Sequence, residues 1–136
     1  MMDAAPFADA VAAARALLDT HKRPDWHTVA AVVVTRRGHQ YVGMNLDSIL
    51  PRASVCAEPV ALGMAMTNDP DDPVVFCAAV NRHGAVIPPC GPCRELMMDY
   101  ARHAQVAVPD DTAHGYMTVP MTTLVPTPYK PDHRKP

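Results

Sequence analysis

Thr28-Val29-Ala30-Ala31-Val32-Val33-Val34-Thr35 is an almost unbroken Val/Ala run of strand length. A half-buried strand alternates apolar and polar residues, so a run without alternation predicts a strand buried on both faces. Arg36-Arg37-Gly38-His39 reads as a hairpin turn, and Gln40 to Asn45 returns as a second strand. Upstream, Phe7, Val11, Ala14, Leu17 and Leu18 recur at helical spacing between Pro6 and Thr20. Pro6 suits a first helical turn and Asp9 the positive end of the helix dipole. His21-Lys22-Arg23-Pro24-Asp25 breaks that pattern before the first strand.

Downstream, Leu46 to Val55 contains Pro51 and no period, which predicts an irregular loop able to line a pocket. Pro59, Val60, Leu62, Met64 and Met66 predict a second helix to about Asn68, with the proline tolerated in its first turn. Cys56 then stands at that helix's start. Asn68-Asp69-Pro70-Asp71-Asp72-Pro73 is a breaker, Val74 to Val80 a third buried strand, and Asn81 to Gly84 a turn. Ile87 to Pro89 leads into Cys90, and Leu96, Met97 and Tyr100 fit an amphipathic helix from Gly91 to about His103. Gln105 to Val108 and Tyr116 to Val119 are shorter strand candidates. The order αββαβαββ implies helices packed on a mixed sheet, with Cys56 and Cys90 both at strand-to-helix junctions.

At 136 residues the chain fits a single domain, 1–136, whose Pro-rich end from about 126 is expected as loop or tail. Hydrophobic residues make up 49% and charged residues 19%, which excludes wholesale disorder. The formal net charge is −2 and no run of Lys or Arg exceeds two, so a duplex-binding surface is not expected and small substrates are. Asp9, Arg15 and Asp19 interrupt the Ala-rich N-terminal stretch, and no apolar segment is long enough to span a bilayer. A cytoplasmic location is therefore expected, in which the four cysteines stay reduced.

Three of those cysteines fall in Cys56-Ala57-Glu58 and Pro89-Cys90-Gly91-Pro92-Cys93. A structural zinc takes four protein ligands, whereas a catalytic zinc takes three and leaves a position for water. Three clustered cysteines fit the second case. Cys77 lies in the apolar Phe76-Cys77-Ala78-Ala79 stretch and reads as a buried thiol acting as a small hydrophobe. Three thiolates make such a site net negative, and helix N-termini at the sulfurs would offset that charge and favour the thiolates. Arg94 either adds to this or is an exposed first-turn arginine. Glu58 stands two residues after a candidate ligand, close enough to carry protons without binding the metal. Standing alone it would read as a first-turn carboxylate favouring the helix dipole.

These residues resemble the small zinc-dependent cytidine deaminase family, which includes the blasticidin-S deaminases. A bare Cys-x-x-Cys is weak evidence, but Cys-Ala-Glu followed by Pro-Cys-Gly-x-Cys at this separation is specific. The resemblance extends to Thr28-Val29-Ala30-Ala31 through Gly38, to Gly43-Met44-Asn45 and to Leu124-Val125-Pro126-Thr127-Pro128-Tyr129. It implies a cytidine deaminase-like three-layer αβα sandwich with a mixed five-stranded sheet. It also implies one zinc per chain on Cys56, Cys90 and Cys93, Glu58 as proton shuttle, and a homotetramer whose sites are completed across subunits.

The substrate implied is a cytosine nucleoside, cytidine or deoxycytidine, converted to the uracil nucleoside with release of ammonia. Family enzymes acting on cytidine hold the ribose with an Asn-x-Glu step, which here reads Asn45-Leu46-Asp47. The interval from Asn45 to Cys56 matches those enzymes. Asp47 is one methylene short of the usual Glu, so its contact is kept through water, redirected or lost. Trp26-His27-Thr28-Val29-Ala30 is closer to the His-Thr-Val-Ala of blasticidin deaminases, which makes a cytosine-bearing antibiotic nucleoside such as blasticidin S the alternative. His27 is either a pocket residue or a cap on the following strand. Pro59 stands where cytidine deaminases commonly have an arginine against the ligand sulfurs, and Arg94, Arg52 and the helix ends are the available replacements. Two further readings remain: a non-enzymatic zinc-stapled binding module, and deamination within polynucleotides, which lacks a basic groove here.

Overall fold

The computed structural model describes residues 5–20 and 23–130. Its elements run α1 (Ala8–Asp19), β1 (Val29–Thr35), β2 (Gln40–Met44), a 3-10 turn (Pro51–Ala53), α2 (Ala57–Asn68), β3 (Val74–Asn81) and β4 (Val86–Ile87). There follow α3 (Gly91–Tyr100), β5 (Gln105–Pro109), β6 (Tyr116–Pro120) and a second 3-10 turn (Met121–Leu124). His21 and Lys22 of the predicted break, and the end of the Pro-rich tail, lie outside the described residues.

The sheet runs β2-β1-β3-β5-β6. Only β3 and β5 pair in parallel, so the sheet is mixed. The predicted five strands form this path, and β4 is an addition that pairs antiparallel with β3 through Ala79↔Ile87 and Val80↔Val86. Since β5 takes the same strand only at Phe76 and Cys77, β4 completes the remaining edge and feeds Pro88 to Cys90 directly. Two residues are too few for any period to reveal.

The β1 run is buried on both faces as its composition predicts. Ala30, Val32 and Val34 pack with Ala10, Val11 and Ala14 of α1, while Ala31 and Val33 pack with Ala61, Leu62 and Ala65 of α2 and with Met97 of α3. Helices on both sides make the sandwich three-layered. At about 25 cal/mol per Å² of apolar surface, two continuous layers of small aliphatic side chains supply the main stabilisation that a chain poor in aromatics can muster.

Helix boundaries differ from the sequence reading at their ends. α1 starts at Ala8 because Phe7 adopts a left-handed backbone (φ 53°) and stacks its ring on Phe76 at 4.3 Å between centroids. α2 is already helical at Ala57, with Pro59 in its first turn. α3 stops at Tyr100, short of His103.

Gly43 of β2 lies directly against α2. The hairpin turn at the far end of β1 is held by Asp72, which is 1% exposed and accepts the Arg37 backbone N–H at 3.0 Å, with His39 Nδ1 3.4 Å from its other oxygen. Burial alone would raise the Asp72 pKa. The Thr35 hydroxyl, the Arg37 N–H and the charges of Arg37 and His39 outweigh it and hold the carboxyl below its usual range. Among the described residues no helix is long and apolar enough to cross a membrane.

Candidate active site

Cys56 and Cys90 occupy equivalent places, each the extended residue that precedes a helix: Cys56 caps α2 (φ −66°, ψ 164°) and Cys90 caps α3 (φ −71°, ψ 173°). Neither side chain caps its own helix, so both sulfurs are available to something else. Cys93 sits one turn into α3 and is buried. The Cys56 and Cys90 sulfurs are 3.5 Å apart, those of Cys90 and Cys93 3.3 Å apart, and all three lie within 4.8 Å of one another.

Three sulfurs about 2.3 Å from a tetrahedral zinc are separated by roughly 3.8 Å, so this cluster fits that ion with little movement. The positive ends of α2 and α3 both meet at the sulfurs, which offsets part of the cost of burying a thiolate there. Among the described residues the cluster contains three thiols and not a fourth ligand. Cys77 stands apart in β3, its thiol pushed far up by burial and by the Glu58 charge. Cys93 is likewise pushed up, first by burial and then by Glu58, and Cys56 is raised mainly by burial. Metal binding at these thiols must therefore displace protons.

Glu58 lies in the first turn of α2 and is only 4% exposed. Burial raises its pKa, partly offset by hydrogen bonds from the Cys93 thiol and from backbone. A carboxyl shifted toward neutrality both takes and gives a proton readily, which is the property a proton carrier needs. Arg94, by contrast, is engaged elsewhere. Its Nε donates to the Pro89 carbonyl at 2.8 Å and a terminal nitrogen to the Leu124 carbonyl at 3.4 Å, tying the second 3-10 turn to the Cys90 loop. Arg52 lies on the exposed 3-10 turn.

A cavity of about 300 Å³ opens beside this cluster at the end of the sheet where β1 begins, β2 ends and β4 leaves. Cys56, Glu58 and Cys90 are part of its lining, Val29, Leu46, Val55, Ile87 and Pro88 supply apolar wall, and Asn45 and Ser54 are its other polar side chains. Asn45 doubles as a clasp. Its Oδ1 accepts the Thr28 and Val29 N–H groups at 2.9 and 3.1 Å, and its Nδ2 donates to the Trp26 carbonyl at 3.2 Å. His27 Nδ1 donates to the Asn45 main-chain carbonyl at 2.9 Å, and His27 is not part of the cavity wall. Asp47 is also outside the wall, turned toward Ser48 and Ser54 of its own loop.

Of the predicted residues, then, the fold brings Cys56, Cys90, Cys93, Glu58 and Asn45 together and leaves His27 and Asp47 one step removed. Ser54, Ile87 and Pro88 were not singled out from sequence. The one available signal was position, since Ser54 immediately precedes Val55-Cys56 and the other two lead into Cys90.

Comparison with known proteins adds to this geometry. The family profile described as the cytidine and deoxycytidylate deaminase zinc-binding region matches residues 7–108. Blasticidin-S deaminase of Bacillus cereus is 35% identical over 82 residues, covering 55% of this chain and 59% of that protein. Cytidine deaminase of Mycobacterium tuberculosis is 28% identical over 72 residues, covering 53% of each. The chain thus spans little more than half the length of these relatives.

Among solved structures, cytidine deaminase from Burkholderia pseudomallei superposes with a TM-score of 0.76 at 23% identity, covering 91% of this chain and 99% of that one. The Mycobacterium tuberculosis enzyme gives 0.72 at 19% identity, covering 88% and 93%. At such identities the likeness establishes the shared fold.

Proposed function

Because the chain belongs to the cytidine and deoxycytidylate deaminase family, known by its zinc-binding region, we propose that it is a zinc-dependent hydrolytic deaminase of cytosine nucleosides. The observation that carries this is a buried carboxyl, Glu58, lining one cavity with Cys56 and Cys90 of a three-thiol cluster. Cys56, Cys90 and Cys93 would hold one zinc ion per chain, which when bound would supply Lewis-acid activation of a water near neutral pH. Glu58 takes a proton from the attacking water and delivers it to N3 of the cytosine ring. It then carries a second proton to the amino group leaving C4, so that water and the amine exchange to give the uracil base and ammonia.

Cytidine and deoxycytidine are the substrates proposed. Asn45 meets the sugar with the amide hydrogen it does not give to Trp26, while His27 and Asp47 shape the wall through Asn45 and Ser54. A second reading, turnover of blasticidin S, is favoured by the identity to the Bacillus cereus deaminase. The absence of a fourth ligand from the cluster among the described residues weighs against a closed, non-catalytic zinc staple.

The proposed assembly is a homotetramer in the cytoplasm, whose reducing setting suits four free thiols. Exposed apolar side chains at Ile49, Leu50 and Met64, and a hollow lined by Leu62, Met66, Leu96 and Tyr100, support burial against further copies. Sedimentation velocity on the full chain tests the assembly.

An absorbance assay of zinc-loaded protein over cytidine, deoxycytidine, free cytosine and blasticidin S tests the activity. Loss of the cytosine band with stoichiometric ammonia is expected for at least one nucleoside. Silence across the whole panel would sink the deaminase reading.

A further inference from the structure

The polar groups of the cavity differ in what they offer a ligand. Glu58, Cys56 and Cys90 carry the candidate chemistry, and Asn45 and Ser54 are the other polar side chains of the wall. Both of these are largely committed. The two N–H groups at 2.9 and 3.1 Å fill the acceptor capacity of Asn45 Oδ1, leaving it one amide hydrogen to give. Ser54 Oγ donates its single proton to Asp47 Oδ1 at 3.0 Å and accepts the Ser48 N–H at 3.0 Å. Asp47 Oδ1 takes that same N–H at 2.9 Å. This closed triangle holds the Asp47 carboxylate to its own loop through Oδ1, and Asp47 is not part of the cavity wall.

From these bonds we infer that Ser54 is a specificity-determining residue: by tethering Asp47 it deprives the sugar end of a strong acceptor and makes the cavity indifferent to sugar hydroxyl groups. The inference rests on the deaminase reading above and deepens it. A hydroxyl entering this end gives up water and finds only one N–H and one serine lone pair, so it gains little. A deoxygenated ring loses nothing by comparison and buries apolar edge against Val29, Leu46 and Val55. Large discrimination for a hydroxyl arises where a buried partner is left unpaired by the analogue that lacks it, and here that partner is already satisfied. The substrate class is therefore cytosine N1-linked to a sugar with or without hydroxyls at the 2′ and 3′ carbons.

The test compares kcat/KM for cytidine and 2′,3′-dideoxycytidine in the native zinc-loaded chain, Ser54→Thr, Ser54→Ala and the double variant Ser54→Ala/Asp47→Asn. The native ratio of the two is expected to stay below about tenfold, and Ser54→Thr, which keeps the hydroxyl, to match it. Ser54→Ala frees Asp47 to accept, so the ratio rises by about fivefold or more in favour of cytidine, and the double variant returns it to the native value. A native preference for cytidine above tenfold, or a Ser54→Ala ratio equal to the native one, overturns the inference and leaves the deaminase reading intact. If neither nucleoside is turned over, that result counts against the deaminase reading, and calorimetric dissociation constants for the same pair decide this one. Equal affinities support it; a cytidine preference, or no binding of either, overturns it.

Discussion

A β-carbon placed on Gly43 would lie 2.8 Å from Cγ1 of Val60 and 2.9 Å from the Ala61 backbone nitrogen. The β2 strand and α2 therefore touch through bare backbone, and the start of α2, with Cys56 and Glu58, takes its height above the sheet from this contact. Gly43→Ala forces a shift that costs about 1–3 kcal/mol. Thermal unfolding should show a lower midpoint, and the variant's kcat should fall as well, because the displaced element carries Glu58.

Glu58→Gln preserves size and hydrogen-bonding shape but cannot carry a proton. Its kcat should drop by roughly 10²- to 10⁴-fold while zinc content, measured by mass spectrometry, stays at the native level. A variant that keeps near-native turnover would remove Glu58 from the proton path.

Removal of zinc by a chelator should abolish turnover and lower the melting midpoint together. At a free-zinc concentration one hundred times Kd, the bound ion adds about 2.7 kcal/mol to stability, which corresponds to a shift of roughly 5–15 °C for a chain of this size. Differential scanning calorimetry with and without added zinc measures it, and an unchanged midpoint would mean that the thiol cluster does not hold the ion in the folded state.

Asp72 ties the β1–β2 turn to the loop after α2, and its folded pKa is depressed. A depressed carboxyl stabilises the fold at every pH above its unfolded value near 4, and that contribution disappears as the pH falls through the lower, folded value. Asp72→Asn should therefore melt several degrees below the native chain at pH 7, with the gap closing below about pH 4. Parallel melts across that range read both curves. A gap independent of pH would assign the effect to packing rather than to charge.

The layers of the fold were legible because composition betrayed them: a Val/Ala run such as β1 has no polar face to expose. The gathering of Cys56, Cys90 and Cys93 was legible because spacing placed them at two helix starts. What escaped was decided by contacts between distant residues. Phe7 was assigned to a helix it only precedes, since its left-handed turn depends on stacking against Phe76. β4 exists only because β3 has an unfilled edge. The engagement of Asn45 with Thr28 and Val29 spans 17 and 16 residues, and a side chain's commitment to such partners leaves no trace in local pattern. Arg94 read either as a charge beside the sulfurs or as an exposed first-turn arginine, yet its guanidinium serves two carbonyls.

Cys56 and Cys90 are 34 residues apart and have all of β3 between them. A nascent chain that has released only its first half holds one of the three thiols and lacks β3, β4 and α3, which place the other two. Capture of the ion by all three thiols consequently waits until β3 has paired with β1 and α3 has formed, well after Cys56 has left a chain assembled from its N-terminus. Acquisition of metal thus becomes a timestamp for the docking of two helix starts across the sheet.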